Sequence, residues 1–211
     1  MRKWYPVLLV AIATIASIVV YPRLPDRVPT HFDIRGNPNA YGPRWVPTVI
    51  VPVMILALWG LLRGLPKIDP RRANYAKMQD TYDLVVNLIL TMVTTLHLLL
   101  LAGTMGSRVP FIRLMPAVVG VFFVAIGNLL PRAKPNWWFG IRTPWTLSND
   151  RVWERTHRVG GYVMTLIGVL AIVSSFFAAE VAFVTFIVVA GAMSLGLIAY
   201  SYFVWKHETA K

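Results

Sequence analysis

Histidine is the side chain best able to move a proton or hold a metal near neutral pH, and the chain offers four: His31, His97, His157 and His207. They fall on different segments, without the HxxxH or HxH spacing that brings two imidazoles to one ion. His31-Phe32-Asp33 could lend two ligands, but no set of partners can be identified around them. There is no cysteine, which excludes thiolate ligands, a thiol nucleophile and disulfides. Serine and threonine are plentiful, yet none sits in a G-x-S-x-G frame, and neither a P-loop nor a dinucleotide fingerprint is present. The expectation is no metal, no cofactor and no catalytic residue, and so no enzyme.

Two other groups of residues could do something chemical. Asn87, Thr91 and Thr94 stand at i, i+4 and i+7 and share one helix face among leucines, with His97 pointing elsewhere. They could line a polar cavity for a small-molecule or lipid transporter, or serve a membrane enzyme. They could equally form interhelical hydrogen bonds worth about 1 kcal/mol each, which is the simpler reading. The second group is the stretch Asn136–Gly161, N-W-W-F-G-I-R-T-P-W-T-L-S-N-D-R-V-W-E-R-T-H-R-V-G-G. It carries four of the eight Trp and four Arg within 26 residues. A connector between helices needs only a few turn residues. Arg supplies forked donors and Trp rigid apolar area, so this loop is either a docking surface or an aromatic belt at the lipid headgroups.

The elements that must position these residues follow from composition. Of 211 residues 56% are hydrophobic and 14% charged, against about a quarter charged in an ordinary soluble domain. The apolar residues come in blocks, and a helical span takes about 20 of them. Six such runs can be drawn: Trp4–Tyr21, Val46–Leu62, Leu84–Met105, Ile112–Leu130, Val159–Ala179 and Val181–Trp205. The first, behind Arg2 and Lys3, is too long for a signal h-region and no A-x-A-like site follows it, so it reads as a retained helix. The fold class expected is all-α, a polytopic membrane protein of six transmembrane helices.

Net charge +12 raises the question of nucleic acid, but the distribution answers it. Lys and Arg number two before the first span, five in Arg63–Lys77, six in Arg132–Arg158 and two after the last span. The alternate loops hold four in Arg23–Arg44 and two more, Arg108 and Arg113: fifteen against six. The positive-inside rule then puts both termini and the second and fourth loops in the cytoplasm. The basicity serves topology and anionic lipid, with no direct nucleic-acid partner.

Loop 22–45 is crowded with Pro25, Pro29, Pro38 and Pro43, which exclude a continuous helix, and Asn37 and Gly42 suit turns. A compact, ordered external loop is expected. Pro52 should kink the second span, and a short helix is expected around Arg71–Asp83. Ser148 is the N-cap expected for a helix running from Asn149 into the fifth span, with Glu154 and Arg158 at i,i+4. The last two spans meet near Ala179-Glu180 and must be antiparallel neighbours. Gly161, Thr165 and Gly168, with Ala192 and Gly196, are expected to allow close backbone approach.

The run Asn136, Gly140, Ile141, Arg142, Thr143, Pro144, Trp145, Thr146, Leu147, Trp153, Thr156, His157, Arg158 and Gly161 resembles the signature of the SdpI family. The outer stretch Pro25, Pro29, Thr30, His31, Phe32, Gly36, Tyr41 and Gly42 resembles a small domain of unknown function often found at that family's N-terminus. The resemblance implies an integral protein of the bacterial cytoplasmic membrane that gives immunity to a secreted peptide toxin of the sporulation-delay type. It also implies signalling, in which a cytosolic repressor is held at the membrane. Two units are expected: residues 1–62, two spans with the external loop, and 63–211, four spans with the Arg/Trp loop 131–158. External recognition of the toxin would fall to Pro29, His31, Phe32, Gly36 and Tyr41. Cytoplasmic docking would fall to Asn136, Gly140, Arg142, Thr143, Pro144, Trp145, Trp153, His157 and Arg158.

Overall fold

In the computed structural model six helical segments are long and apolar enough to cross a membrane: Tyr5–Arg23, Val46–Ile68, Gln79–Thr104, Leu114–Arg132, Asp150–Ser174 and Phe183–Thr209. These are the six expected runs, and most boundaries shift only where polar helical turns extend past the apolar block. The structure describes residues 4–35, 37–105, 111–177 and 179–210, with the backbone alone at 111–113, 179 and 182. The elements are α1 (Tyr5–Val20), β1 (Arg27–Phe32), β2 (Pro38–Pro43), α2 (Val51–Ile68), α3 (Ala73–Lys77), α4 (Gln79–Thr104), α5 (Phe111–Leu129), α6 (Pro144–Ser148), α7 (Asp150–Ser174) and α8 (Ala179–Thr209). Gly36 and Arg108, both named above, lie outside the described residues.

Helix neighbours follow the chain. α1, α2 and α4 form a trio around Leu9, Ala13, Ile55, Tyr82, Val86 and Leu90. α4 passes the core on to α5 through Val85, Ile126 and Leu129. α5 then packs on α7 and α7 on α8, so the last two spans are the neighbours their short connection requires. Since lipid is as apolar as leucine, close fit rather than water exclusion must hold these pairs. α5 and α7 meet through glycines: a Cβ on Gly168 would lie 2.5 Å from the Gly120 carbonyl oxygen. The small residues of the fifth span are thus used against α5. Gly196 of α8 faces open space instead, which corrects the expectation of close packing there.

One feature departs from an all-helical chain. The proline-rich segment folds as an antiparallel hairpin, with Arg27 opposite Pro43, Val28 opposite Gly42, Pro29 opposite Tyr41, His31 opposite Ala40 and Phe32 opposite Pro38. Prolines that forbid helix are tolerated here because a two-stranded hairpin needs only alternate N–H groups. Register shifts on either side of His31 leave Thr30 without a cross-strand partner, as in a bulge. Val28, fully buried, seats the hairpin on Val20, Leu24 and Leu101, and Arg44 binds back to the Leu24 carbonyl at 3.1 Å. A π turn, Val46–Ile50, precedes α2, and Pro52 stands in the first turn of α2, where its missing N–H costs no helical bond, rather than at a kink within the span.

Two local details differ from the sequence reading. The short helix near Arg71–Asp83 is divided at Met78, with α3 before it and α4 after. Ser148 does not cap α7. It is the last residue of α6 and donates to the Trp145 carbonyl at 3.1 Å. Asn149 is the cap, its side-chain oxygen accepting from Arg151 N at 2.9 Å and Val152 N at 3.2 Å.

Candidate functional site

The bundle has two working ends, one bearing the hairpin and one bearing the Arg/Trp loop. The second is built as follows. Asn136 is fully buried, and its carbonyl oxygen accepts from Phe139 N at 2.6 Å, Trp138 N at 2.9 Å and the Tyr75 hydroxyl at 3.3 Å. Its amide donates to the carbonyls of Lys134 and Phe139. One side chain thereby closes the whole turn, and Asn is the side chain that can both accept and donate at this scale.

Beside it lies a residue that the sequence reading missed. Asp69, 3% exposed, accepts from Tyr75 Oη at 2.9 Å, Trp137 N at 2.9 Å and Arg71 N at 2.7 Å. Burial first, and the Asp69 carboxylate second, push the Tyr75 phenol well above its ordinary range, so it is a permanent donor. Asn74 donates to the Pro135 carbonyl, and Arg71 reaches both Asp150 and the Leu147 carbonyl. The loop after α2 therefore holds the Arg/Trp loop in place. Tyr75→Phe removes both hydroxyl bonds and should cost about 1–3 kcal/mol, read as a lower unfolding midpoint in detergent micelles at unchanged helix content.

Gly140, His157 and Trp153 form the next layer. Gly140 sits at φ +113°, and a Cβ there would overlap His157 Nε2. Ile141 N donates to His157 Nε2 at 2.9 Å, which assigns the ring proton to Nδ1, bonded to the Trp153 carbonyl at 2.8 Å. The Trp153 ring stacks on His157 at 3.9 Å between centroids and donates Nε1–H to the Ala133 carbonyl at 2.8 Å. Both rings are fully buried. Thr143 caps α6, its Oγ1 accepting from Thr146 N, and lies 3.0 Å from Ser201 Oγ on α8. Trp145 is half-buried, edge-on to Tyr202 at 5.2 Å. Arg151 and Arg155 pair with Glu208, tying the far end of α8 to α7.

Of the nine residues expected to make a docking surface, Asn136, Thr143, Trp153 and His157 are thus spent on the loop's own fold. Gly140 serves it through its backbone. The exposed members are Arg142, Pro144 and Arg158, beside Trp137 and Trp138, which are 49% and 40% exposed. Arg142 donates to the Trp137 carbonyl at 2.7 Å.

At the other end the hairpin roofs a cleft of about 840 Å³. Its roof is residues 30–34 with Asn39, and its floor is Leu100 of α4, Met115, Pro116 and Val119 of α5, and Phe183, Phe186 and Ile187 of α8. His31 and Phe32 line it, and His31 is held by Asn39. Pro29 and Tyr41 lie away from it on the hairpin stem. Arg35 Nε meets Glu180 of α8 at 2.8 Å, closing the turn over that helix.

Two polar residues of the third span bond to a neighbouring helix, while Thr94 Oγ1 is buried without a hydrogen-bond partner among the described residues. Thr91 is 2.9 Å from the Tyr5 hydroxyl and His97 Nε2 is 2.9 Å from Ser17 Oγ, both on α1. Among the described residues no group of three His, Asp or Glu could hold a metal ion.

Residues 8–56 match a domain of unknown function (DUF1648), which takes in α1, the hairpin and the start of α2. Residues 132–201 match the SdpI/YfhL protein family, from the Arg/Trp loop into α8. Over 175 residues the chain is 29% identical to Immunity protein SdpI of Bacillus subtilis (strain 168), covering 82% of this chain and 81% of that protein. No solved structure matches. The chain is a multi-pass protein of the bacterial cytoplasmic membrane. The hairpin end and the loop end each carry one of the two matches, and by these the chain is similar to the SdpI/YfhL protein family over its last third.

Proposed function

We propose that this chain is a non-catalytic membrane immunity protein that protects its own cell from a secreted peptide toxin. The observation that carries this reading is the similarity to Immunity protein SdpI across four-fifths of both chains. In this reading both termini and the Arg/Trp loop face the cytoplasm, supported by fifteen Lys and Arg on that side against six on the other. The hairpin then faces outward, where a secreted peptide arrives. Recognition of the peptide would fall to Pro29, His31, Phe32 and Tyr41 on that face, together with Gly36 of the same loop in sequence. The exposed Trp137, Trp138, Arg142, Pro144 and Arg158 form the inner face, suited to a cytosolic partner such as a repressor, while Asn136, Gly140, Thr143, Trp145, Trp153 and His157 keep it in shape. The hydrogen bonds of Thr91 and His97 to α1 favour this reading over transport through the third span.

The test is survival of a toxin-sensitive bacterium expressing the chain and challenged with sporulation-delay-type peptide, beside cells carrying an empty vector. Survival at least tenfold higher with the chain is expected; equal killing at confirmed membrane expression would end the immunity reading. Because the chain has no cysteine, single cysteines at Tyr41 and Arg158 report orientation directly. An impermeant maleimide should label whole cells at 41 and not at 158. The reverse pattern would overturn the topology.

A further inference from the structure

The cleft under the hairpin is open on one side, and its volume of about 840 Å³ is within the range of ligand sites. We propose that it is a binding site for one apolar segment of a peptide that carries no net negative charge. This rests on the immunity reading and makes it specific: the segment would belong to the toxin.

Three observations choose the occupant. First, the floor is apolar and comes from three helices, and two of its residues, Phe183 and Ile187, are about half exposed at the outer surface of α8. A segment already partitioned into the membrane edge could slide in without crossing water. Second, the roof is a run of consecutive residues, 30–34. Thr30, His31 and Phe32 of that run belong to β1, which sits in a sheet of only two strands, so its edge away from β2 has no strand beside it among the described residues. An edge of this kind recognises another peptide backbone, with main-chain bonds for affinity and neighbouring apolar walls for side chains. Third, none of the described lining residues is Lys or Arg, and Asp33 is among them. The nearby Arg35 is already paired with Glu180 at 2.8 Å. Among the described lining residues a phospholipid phosphate would find no Lys or Arg, and a neutral or basic peptide would meet no like charge there.

The experiment uses the full chain in nanodiscs with a photo-crosslinking residue in place of Phe186, the toxin peptide of the survival test as probe, and mass spectrometry of the adduct. A peptide adduct is expected, reduced at least tenfold by Ile187→Trp and by Val119→Trp. Ile187 is exposed on α8, so its replacement does not threaten the fold, and Val119→Trp fills the cleft from the opposite wall. A version of the peptide methylated on its backbone nitrogens should also crosslink more weakly. Lipid adducts in place of peptide, or peptide adducts indifferent to both tryptophans, would overturn the proposal. The two readings fail separately. A chain that protects cells equally well with both tryptophans retains its immunity and loses this site. A chain that gives no protection yet crosslinks the peptide, with the crosslink blocked by both tryptophans, retains the site and loses the immunity.

Discussion

Gly140→Ala is expected to destabilise the chain by about 3 kcal/mol or more, from backbone strain and overpacking of about 1–3 kcal/mol each. The backbone there has φ +113°, where L side chains rarely go, and the new methyl would fall on His157 Nε2. Either the loop shifts and Ile141 loses its bond to His157, or the imidazole leaves its stack on Trp153. Both routes open the buried layer that supports Trp137 and Arg142. Gly191→Ala is the control, because nothing lies within 4 Å of a Cβ there and alanine is the better helix former by about 1 kcal/mol. Thermal unfolding in micelles should separate the two variants. A Gly140→Ala protein that melts with the wild type would mean that the loop is not packed as described.

Asp69→Ala should be nearly as damaging, although no motif marks the residue. Its carboxylate accepts from Tyr75 Oη, Trp137 N and Arg71 N. Each buried donor left without an acceptor costs about 1–3 kcal/mol; with Tyr75 Oη keeping its bond to Asn136 and the Arg71 amide only partly buried, the lower end of the sum, about 3 kcal/mol, is expected. Asp69 also joins the two parts of the chain, since it lies between the matched segments 8–56 and 132–201. It stands directly after α2, the helix that begins beneath the hairpin. Asp69→Asn, which retains an acceptor oxygen, should lose less than half as much. Proteolysis within 131–149 reports the local effect: the alanine variant should be cut faster there while the helices stay intact. Equal cleavage of wild type and variant would deny Asp69 its anchoring role.

The architecture was legible because the membrane imposes a simple code. Apolar blocks of the right length gave all six spans, and Lys and Arg asymmetry suggested their orientation. The prolines of 22–45 correctly excluded helix, yet they could not specify a hairpin, since its seating depends on Val28 finding Val20 of α1, Leu24 of the connector and Leu101 of α4. In the Arg/Trp loop, residue type pointed to the right segment and blurred the roles within it. Trp153 and His157 look like recognition residues in a string of letters, and only their burial against Ala133 and Ile141 makes them scaffold. Asp69 and Tyr75 carried no local signal at all. Their importance comes from a contact 61 residues away in sequence, between Tyr75 and Asn136. The cleft was invisible for the same reason, being floored by apolar residues of three spans that are far apart in sequence.

The central claim is that an exposed inner face, distinct from the buried scaffold beneath it, is needed for protection. Arg142→Ala tests it most directly, because the side chain is exposed and its one hydrogen bond, to the Trp137 carbonyl, lies at the surface. Survival under sporulation-delay-type peptide should be measured for wild type and Arg142→Ala at equal membrane abundance and with unfolding midpoints compared. The expected result is protection by wild type, at least tenfold less by the variant, and midpoints that agree. Full protection by Arg142→Ala, or its loss only together with the fold, would contradict the account.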